Sequence, residues 1–413
     1  MEWKSEPLVD LVESLHQGLN TAGEKIKFVD SGFPIIQTRN IDNGKINLDH
    51  KIKFMSQEDW NKYHEKYKPQ VGDVFFTNIG TIGKTAIVNV SDDYLIHWNI
   101  FKIRPLEDKL LSSYLKYRLD HLTNSGFFTD SQKGGTVNFV TKKMMSAVDI
   151  PLPPIPEQKR IVALLDIVFA DLEQTRAKTE QNLKNAREFF DSYLQQVFSN
   201  KGEGWVEKTL KEASIDFGRG KSKHRPRNDK SLYGGDYPFV QTGDVRNCEH
   251  LITNYSKSYN EAGLAQSKLW PKGTICITIA ANIAETGILD FDACFPDSVI
   301  GVVVNPEFTT IPYVEFLLQS FKAVLQAKGK GSAQDNINMG TFEKLTFPFP
   351  SIDMQNEIVR SLNELMISVQ QLEVVYQQKL KSIDELKKSI LQKAFSGELT
   401  KVVKQDQPKD ILV

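Results

Sequence analysis

The sequence predicts an α+β chain built from two similar mixed α/β modules, each followed by a long helix. Two observations carry that prediction. The stretch from Glu157 to Ser199 places apolar side chains at Ile161, Leu165, Val168, Leu172, Leu183, Ala186, Phe189, Tyr193 and Val197, and these three- and four-residue steps are the seam of a helix lying against another helix. The same seam returns without a gap at Ile358, Leu362, Leu365, Val369, Leu380, Ile383, Leu386, Ile390 and Ala394. Identities mark both ends of the copy: Gln158 and Ile161-Val162 against Gln355 and Ile358-Val359, and Leu194-Gln195 and Phe198-Ser199 against Leu391-Gln392 and Phe395-Ser396. An internal duplication is the simplest account.

The first module, 1–150, mixes strand signals with turn residues. Phe33 to Thr38 reads as a strand running into a polar loop at Arg39-Asn40, and Asn43-Gly44 is a strong hairpin turn. Val71 to Thr77, Ala86 to Val88 and Asn99 to Ile103 supply further strands, and Leu110 to Leu122 has helical spacing. Three prolines at Pro153, Pro154 and Pro156 enforce an extended approach to the first long helix, 151–200, and Pro156 fits its first turn. The order restarts in the second module, 201–347: Pro238 to Thr242 repeats Pro34 to Thr38, and Lys272 to Thr278 repeats the turn and strand at 71–77. The second long helix, 348–399, and a tail, 400–413, complete the chain. Offsets between the copies drift inside the modules and hold constant in the helices, so the framework is shared and the loops differ.

Composition admits several functions and excludes few. With 40% hydrophobic and 25% charged residues the 413-residue chain has material for two or three domains, and no apolar run of 18 residues predicts a membrane span. Three cysteines without CxxC spacing suit a reducing cytoplasm and do not suggest a structural zinc site. A formal net charge of −1 neither advertises nor excludes a nucleic-acid partner, because a basic surface can be balanced elsewhere.

No catalytic constellation stands out. Gly83-Lys84-Thr85 ends like a phosphate-binding loop, but Asn78 occupies the position that needs glycine and β-branched Ile87-Val88 follow, so a turn presenting Lys84 is expected. Seven histidines are scattered singly, and neither HExxH nor a Gly-x-Ser-x-Gly elbow is present. Candidate catalytic and metal-binding residues are therefore none, and the chain is expected to bind no cofactor. Basic loops are the better signal. Arg219, Lys221, Lys223, His224, Arg225 and Arg227 form an acid-free run that could neutralise phosphates or offer guanidinium forks to guanine edges. Lys328 and Lys330, with Lys133 and Thr136 in the matching stretch, sit among glycines that let the backbone approach a phosphate, and Arg39 and Asn40 at a strand end are candidate base readers. Each of these loops could equally be a solvated surface.

The order of module, Leu-Pro-Pro-Ile-Pro-Glu-Gln approach (Leu152 to Gln158), long helix ending Phe198-Ser199, and the same again ending Ala394-Phe395-Ser396-Gly397-Glu398-Leu399 resembles the specificity (S) subunit of type I restriction-modification systems. The resemblance covers essentially the whole chain. It implies that each module is a target recognition domain for one half of a bipartite double-stranded DNA site, and that the helices pack as an antiparallel coiled coil setting the gap. It further implies two methylation subunits as partners, carrying S-adenosylmethionine, and restriction subunits joined through them. At the second approach Ser351-Ile352-Asp353 replaces the proline run, where Asp353 is expected to cap the helix. Two other readings are an enzyme with fused methylation or restriction activity, and a coiled-coil adaptor that never touches DNA.

Overall fold

The computed structural model describes residues 3–49, 51–90, 92–130, 139–223, 226, 229–280, 283–330 and 339–400, with backbone only at 130, 327–330 and 343. The chain forms two compact units, Met1–Thr179 with Gln378–Val413, and Glu180–Gln377. Each unit thus owns one module and half of each long helix.

In the first unit an antiparallel four-stranded sheet runs in the order Val12–Gln17, Ile100–Pro105, Val74–Thr77, Thr85–Ile87. All four residues of Val74–Thr77 are buried, as a central strand covered on both faces requires. Asn43 and Gly44 take positive φ (47° and 73°), the paired left-handed geometry of a two-residue hairpin turn, and join Ile41–Asp42 to Lys45–Ile46. A second sheet pairs Phe33–Ile36 with Lys53–Met55 on one side and, in parallel, with Leu95–Ile96 on the other. The helix Ser112–Asn124 buries Tyr114, Leu115, Tyr117, Leu119 and Leu122.

The second unit repeats the main sheet with one more strand: Ser214–Arg219, Val299–Val304, Ile275–Thr278, Thr286–Leu289, then Leu251–Ile252 in parallel. The helix Ile311–Ser320 takes the place of Ser112–Asn124. Both modules close in the same way, Ser5–Pro7 pairing with Asp149–Pro151 and Val206–Lys208 with Phe347–Phe349, the strands that lead into the long helices.

Those helices span Ile155–Ser199 and Ile352–Phe395. The first starts two residues before Glu157, with Pro156 inside its first turn. At the second start Asp353 does not cap: Ser351 Oγ accepts from Met354 N (3.4 Å), and Asp353 lies inside the first turn, where its charge suits the helix N-terminus. Within the first unit Glu173 pairs with Lys387 (3.2 Å) and Arg176 with Asp384, so the two helices run antiparallel there. In the second unit Arg187 pairs with Glu373 (2.5 Å) while Leu194 and Phe198, further along, share a core with Leu362, again antiparallel. Ile161, Leu165 and Leu362 are fully buried, as the seam predicts, but the equivalent seam positions Phe189 and Leu386 face outward, 58% and 48% exposed. At the helix ends Leu194, Phe198, Leu391 and Phe395, together with the seam residue Ala394, are buried and enter the module cores.

Two kinds of contact fix each module to the helices. A fully buried glutamine in the first helical turn holds the module's own backbone. Gln158 Oε1 accepts from Leu111 N (3.0 Å), and its amide donates to the carbonyls of Lys109 (2.7 Å) and Pro153 (2.9 Å). Gln355 does the same with Thr310 N (3.1 Å), Phe308 O (3.1 Å) and Pro350 O (2.9 Å). A tyrosine then grips the end of the other helix. Tyr114 donates to Pro151 O (2.8 Å) and packs edge-on against Phe395, and Tyr313 donates to Pro348 O (2.7 Å) and packs against Phe198. In the first unit His121 stacks on Phe395 and its Nδ1 faces Arg118 Nη1 at 3.0 Å. Burial, and then the Arg118 charge, push the His121 pKa down to about 4. Among the described residues no helix is long and apolar enough to cross a membrane.

Replacing Gln158 by Leu strands one buried N–H and two carbonyls, and should cost about 3 kcal/mol, read as a lower midpoint in denaturant unfolding. His121 is neutral in the fold and protonates more readily when unfolded. Its contribution is therefore intact above pH 6.5 and is lost as pH falls toward 4. The thermal midpoint should drop over that window, and His121→Phe should flatten the drop; an unchanged pH profile in the variant would exclude His121 as its source.

Candidate nucleic-acid interface

In each module the loops beyond the sheet meet through backbone hydrogen bonds. In the first, His97 N donates to Ile36 O (2.8 Å), Asn78 N to Asn99 O (3.1 Å), and Val140 N to Asn78 O (2.8 Å). These bonds join the turn at 37–40, the loop at 97–99, the hairpin at 77–84 and residue 140 into one continuous surface. In the second, Val240 N donates to Cys294 O (2.9 Å), Ile279 N to Ser298 O (3.0 Å), and Gly220 N to Val299 O (2.9 Å). The corresponding loops at 241–244, 279–280 with 283–285, and 296–298 meet there with the segment after Arg219.

The turn at 37–40 is built twice. Gln37 N donates to Asn40 Oδ1 (3.0 Å), and Gln241 N donates to Asp244 Oδ2 (2.8 Å), a reciprocal capping arrangement in both modules. Asn40 is fully buried in that role. This corrects its assignment as a base reader: its side chain closes the turn and is not presented to a ligand. Arg39 is exposed beside it, with Nε and Nη2 donating to Gln37 Oε1 (3.1 Å from Nε). His97, next to this turn, is held below its ordinary pKa by burial, which a hydrogen bond donated from its Nδ1 to Asn99 Oδ1 (2.8 Å) partly offsets, and by the nearby charges of Lys53 and Arg39.

The hairpin at 77–84 is built twice as well. Thr77 N donates to Lys84 O (2.9 Å) and Thr77 Oγ1 accepts from Lys84 N (2.9 Å); Thr278 makes the same two bonds with Glu285 (2.9 and 3.0 Å). Strand Thr85–Ile87 follows directly, so this is a turn between strands. Lys84 pairs with Asp42 (3.3 Å) and borders a cleft of about 620 Å³ with Lys45, Lys116, Asp120, Asp166 and Lys387. The cleft mixes both signs of charge and is not a uniform cation trap.

In the second module Arg219 ends its strand with Nε donating to Asp297 O (2.6 Å), and Ser267 Oγ donates to Lys221 O (2.8 Å). Arg219, Lys221 and Lys223 are exposed. A smaller cleft of about 200 Å³ beside them is lined by Ser222, Tyr233, Gln241, Thr242, Lys257 and Ser298, among others. Lys133, Thr136, Arg225 and Arg227 lie outside the described residues, as do the side chains of Lys328 and Lys330. The backbone of Lys328 and Lys330 belongs to the helix Lys322–Lys330, where the sequence suggested a glycine loop.

Lys53 and Lys257 escaped the sequence reading. Lys257 reaches its cleft because it lies opposite Phe239 in an antiparallel pair, and Lys53 lies opposite Ile35. Strand register, which no short motif encodes, puts them there. Exposed guanidinium and ammonium groups on a continuous loop surface can take phosphate oxygens or acceptor edges of bases.

Residues 1–183 and 202–381 each match the family described as Type I restriction modification DNA specificity domain. The chain belongs to that family. Along its length it is similar to the putative type I restriction enzyme MjaX specificity subunit of Methanocaldococcus jannaschii, 24% identical over 96% of this chain and 94% of the relative. It is also similar to the EcoKI specificity subunit of Escherichia coli K12, 23% identical over 98% and 91%. The fold matches the HsdS subunit from Thermoanaerobacter tengcongensis (TM-score 0.61, 20% identity, 96% and 97% covered). It also matches a chain solved in a study of type I R-M complex assembly and conformational transition (TM-score 0.77, 19% identity, 96% and 98% covered). The two specificity domains of the family correspond to the two modules, each with its doubled turns.

Proposed function

We propose that this chain is the DNA-reading subunit of a type I restriction-modification complex, with each module taking one half of a bipartite, asymmetric site. The observation that carries the reading is the pair of family domains in one chain, whose equivalent turns share a framework and differ in what they expose: Arg39 against Gly243, Lys84 against Glu285. Phosphate contacts supply most of the affinity and loop side chains supply sequence choice. The chain contributes recognition and no bond-making step. Two methylation subunits bringing S-adenosylmethionine dock on it, and restriction subunits join through them.

Mapping the bases methylated in a host carrying the whole system should return two unlike half-sites separated by unspecified bases. A palindrome or one contiguous site would count against two different readers, and methyl transfer by the purified chain alone would count against a subunit without catalysis. Lys221 and Lys223 are placed to meet phosphates. Replacing both by Ala should weaken binding of the assembled complex and lower the slope of log K against log salt by about 2, roughly 0.9 per contact. An unchanged slope removes these lysines from the interface.

A further inference from the structure

The doubled turn differs between the modules at two positions, of which the fourth makes the same capping bond in both and the third makes none. Gln37 to Asn40 and Gln241 to Asp244 carry the same capping bond, and the third residue of each is exposed. In the first module that residue is Arg39. In the second it is Gly243, and a Cβ built there meets nothing within 4 Å, so the glycine is not required by packing. Structure thus leaves the position free in both modules, and the choice of residue falls to whatever the turn faces.

Arg39 is also oriented. Gln37 Oε1 takes Nε and Nη2, the side edge of the guanidinium. In a planar guanidinium the end-on edge, Nη1 with the second N–H of Nη2, then points away from Gln37 as two parallel donors. Two parallel donors match the O6 and N7 acceptors of guanine in the major groove. The second module uses its glutamine differently, Gln241 Oε1 accepting from Ser256 Oγ (3.3 Å), so no equivalent fork is held there.

We propose that Arg39, steadied by Gln37, reads a guanine in the half-site of the first module, and that Gly243 leaves the equivalent base of the other half-site unread. Arg39 is then a specificity-determining residue and the turn position a switch between reading and not reading. This rests on the DNA-reading function proposed above.

The test uses the assembled methylation complex and a duplex library in which each base of the wild-type target is varied. Wild type should prefer guanine at one position of one half-site, by about 10- to 100-fold over other bases. Arg39→Ala should abolish that single preference and leave every other position, and the thermal midpoint, as in wild type. Arg39→Gln should move preference at the same position toward adenine, whose N6 and N7 suit a carboxamide. Uniform weakening across the library would make Arg39 a phosphate contact and overturn the proposal, as would an unchanged preference in Arg39→Ala. A wild-type complex with no sequence preference would instead sink the DNA-reading function itself, and the Arg39 assignment with it.

Discussion

Each unit depends on one buried carboxamide. Gln158 and Gln355 sit in the first turn of a long helix, out of contact with water, and bridge two separate stretches of backbone: the strand end just before the helix, and the loop leading into the module's own helix at Ser112 or Ile311. A buried carboxamide is stabilising only when its donors and acceptor are all met. Glutamate would bring a charge, acceptors only and repulsion from two carbonyls. Leucine would strand the backbone groups. The geometry therefore fixes both the residue type and the angle at which module and helix meet, and the duplication preserves it in both copies.

The tyrosine contacts add a constraint of longer range. Tyr114 reaches Phe395 and Tyr313 reaches Phe198, so each module is held by the start of the helix that follows it and by the end of the other helix. Neither unit can be completed from a continuous piece of chain. The first needs residues near the C-terminus, and the second closes only when the second long helix has been made, which raises contact order and places unit completion late in folding. Among the described residues, a histidine and an arginine on the helix-end phenylalanine, His121 and Arg118 on Phe395, are found in the first unit alone. That latch therefore carries an acid sensitivity for which no counterpart is described at Phe198.

The repeated framework was legible in the sequence because helices of equal length tolerate no insertions across a packed seam, and a gap-free repeat survives where loops drift. The seam itself was legible only in part. At the helix ends Tyr193-Leu194 and Val197-Phe198 offer two adjacent apolar faces, and choosing between them depends on module cores contributed from far along the chain. Roles at the turn were not separable either. Arg39 and Asn40 are neighbours of types that both occur at DNA interfaces, yet one closes the turn and the other faces out, a distinction set by the capping bond to Gln37 N. Lys53 and Lys257 depend on strand register, and Lys102, whose sequence context is a plain strand, is buried with Nζ donating to the carbonyls of Lys66 and Lys68 at the C-terminal end of the helix Gln57–Tyr67.

Stability and recognition are divided between different atoms of the same few residues' worth of chain. In the turns at 37–40 and 241–244, and in the hairpins closed by Thr77 with Lys84 and by Thr278 with Glu285, main-chain bonds and one side-chain oxygen define the shape, while outward positions vary freely in charge or size. A surface position that makes no framework bond can change from Arg to Gly, or from Lys to Glu, at a cost to the fold of a few tenths of a kcal/mol. A framework position is held to side chains that make the same bond, as Asn40 and Asp244 both do. Even so, Glu285 is not idle: it pairs with Lys322 (2.7 Å), while Lys84 pairs with Asp42, so the opposite charges at this hairpin are met by partners on different elements. Such compensation is affordable on a half-exposed loop, where an ion pair contributes little. It would not be at Gln158 or Gln355, and this difference in tolerance is why two modules can keep one architecture while presenting unlike surfaces.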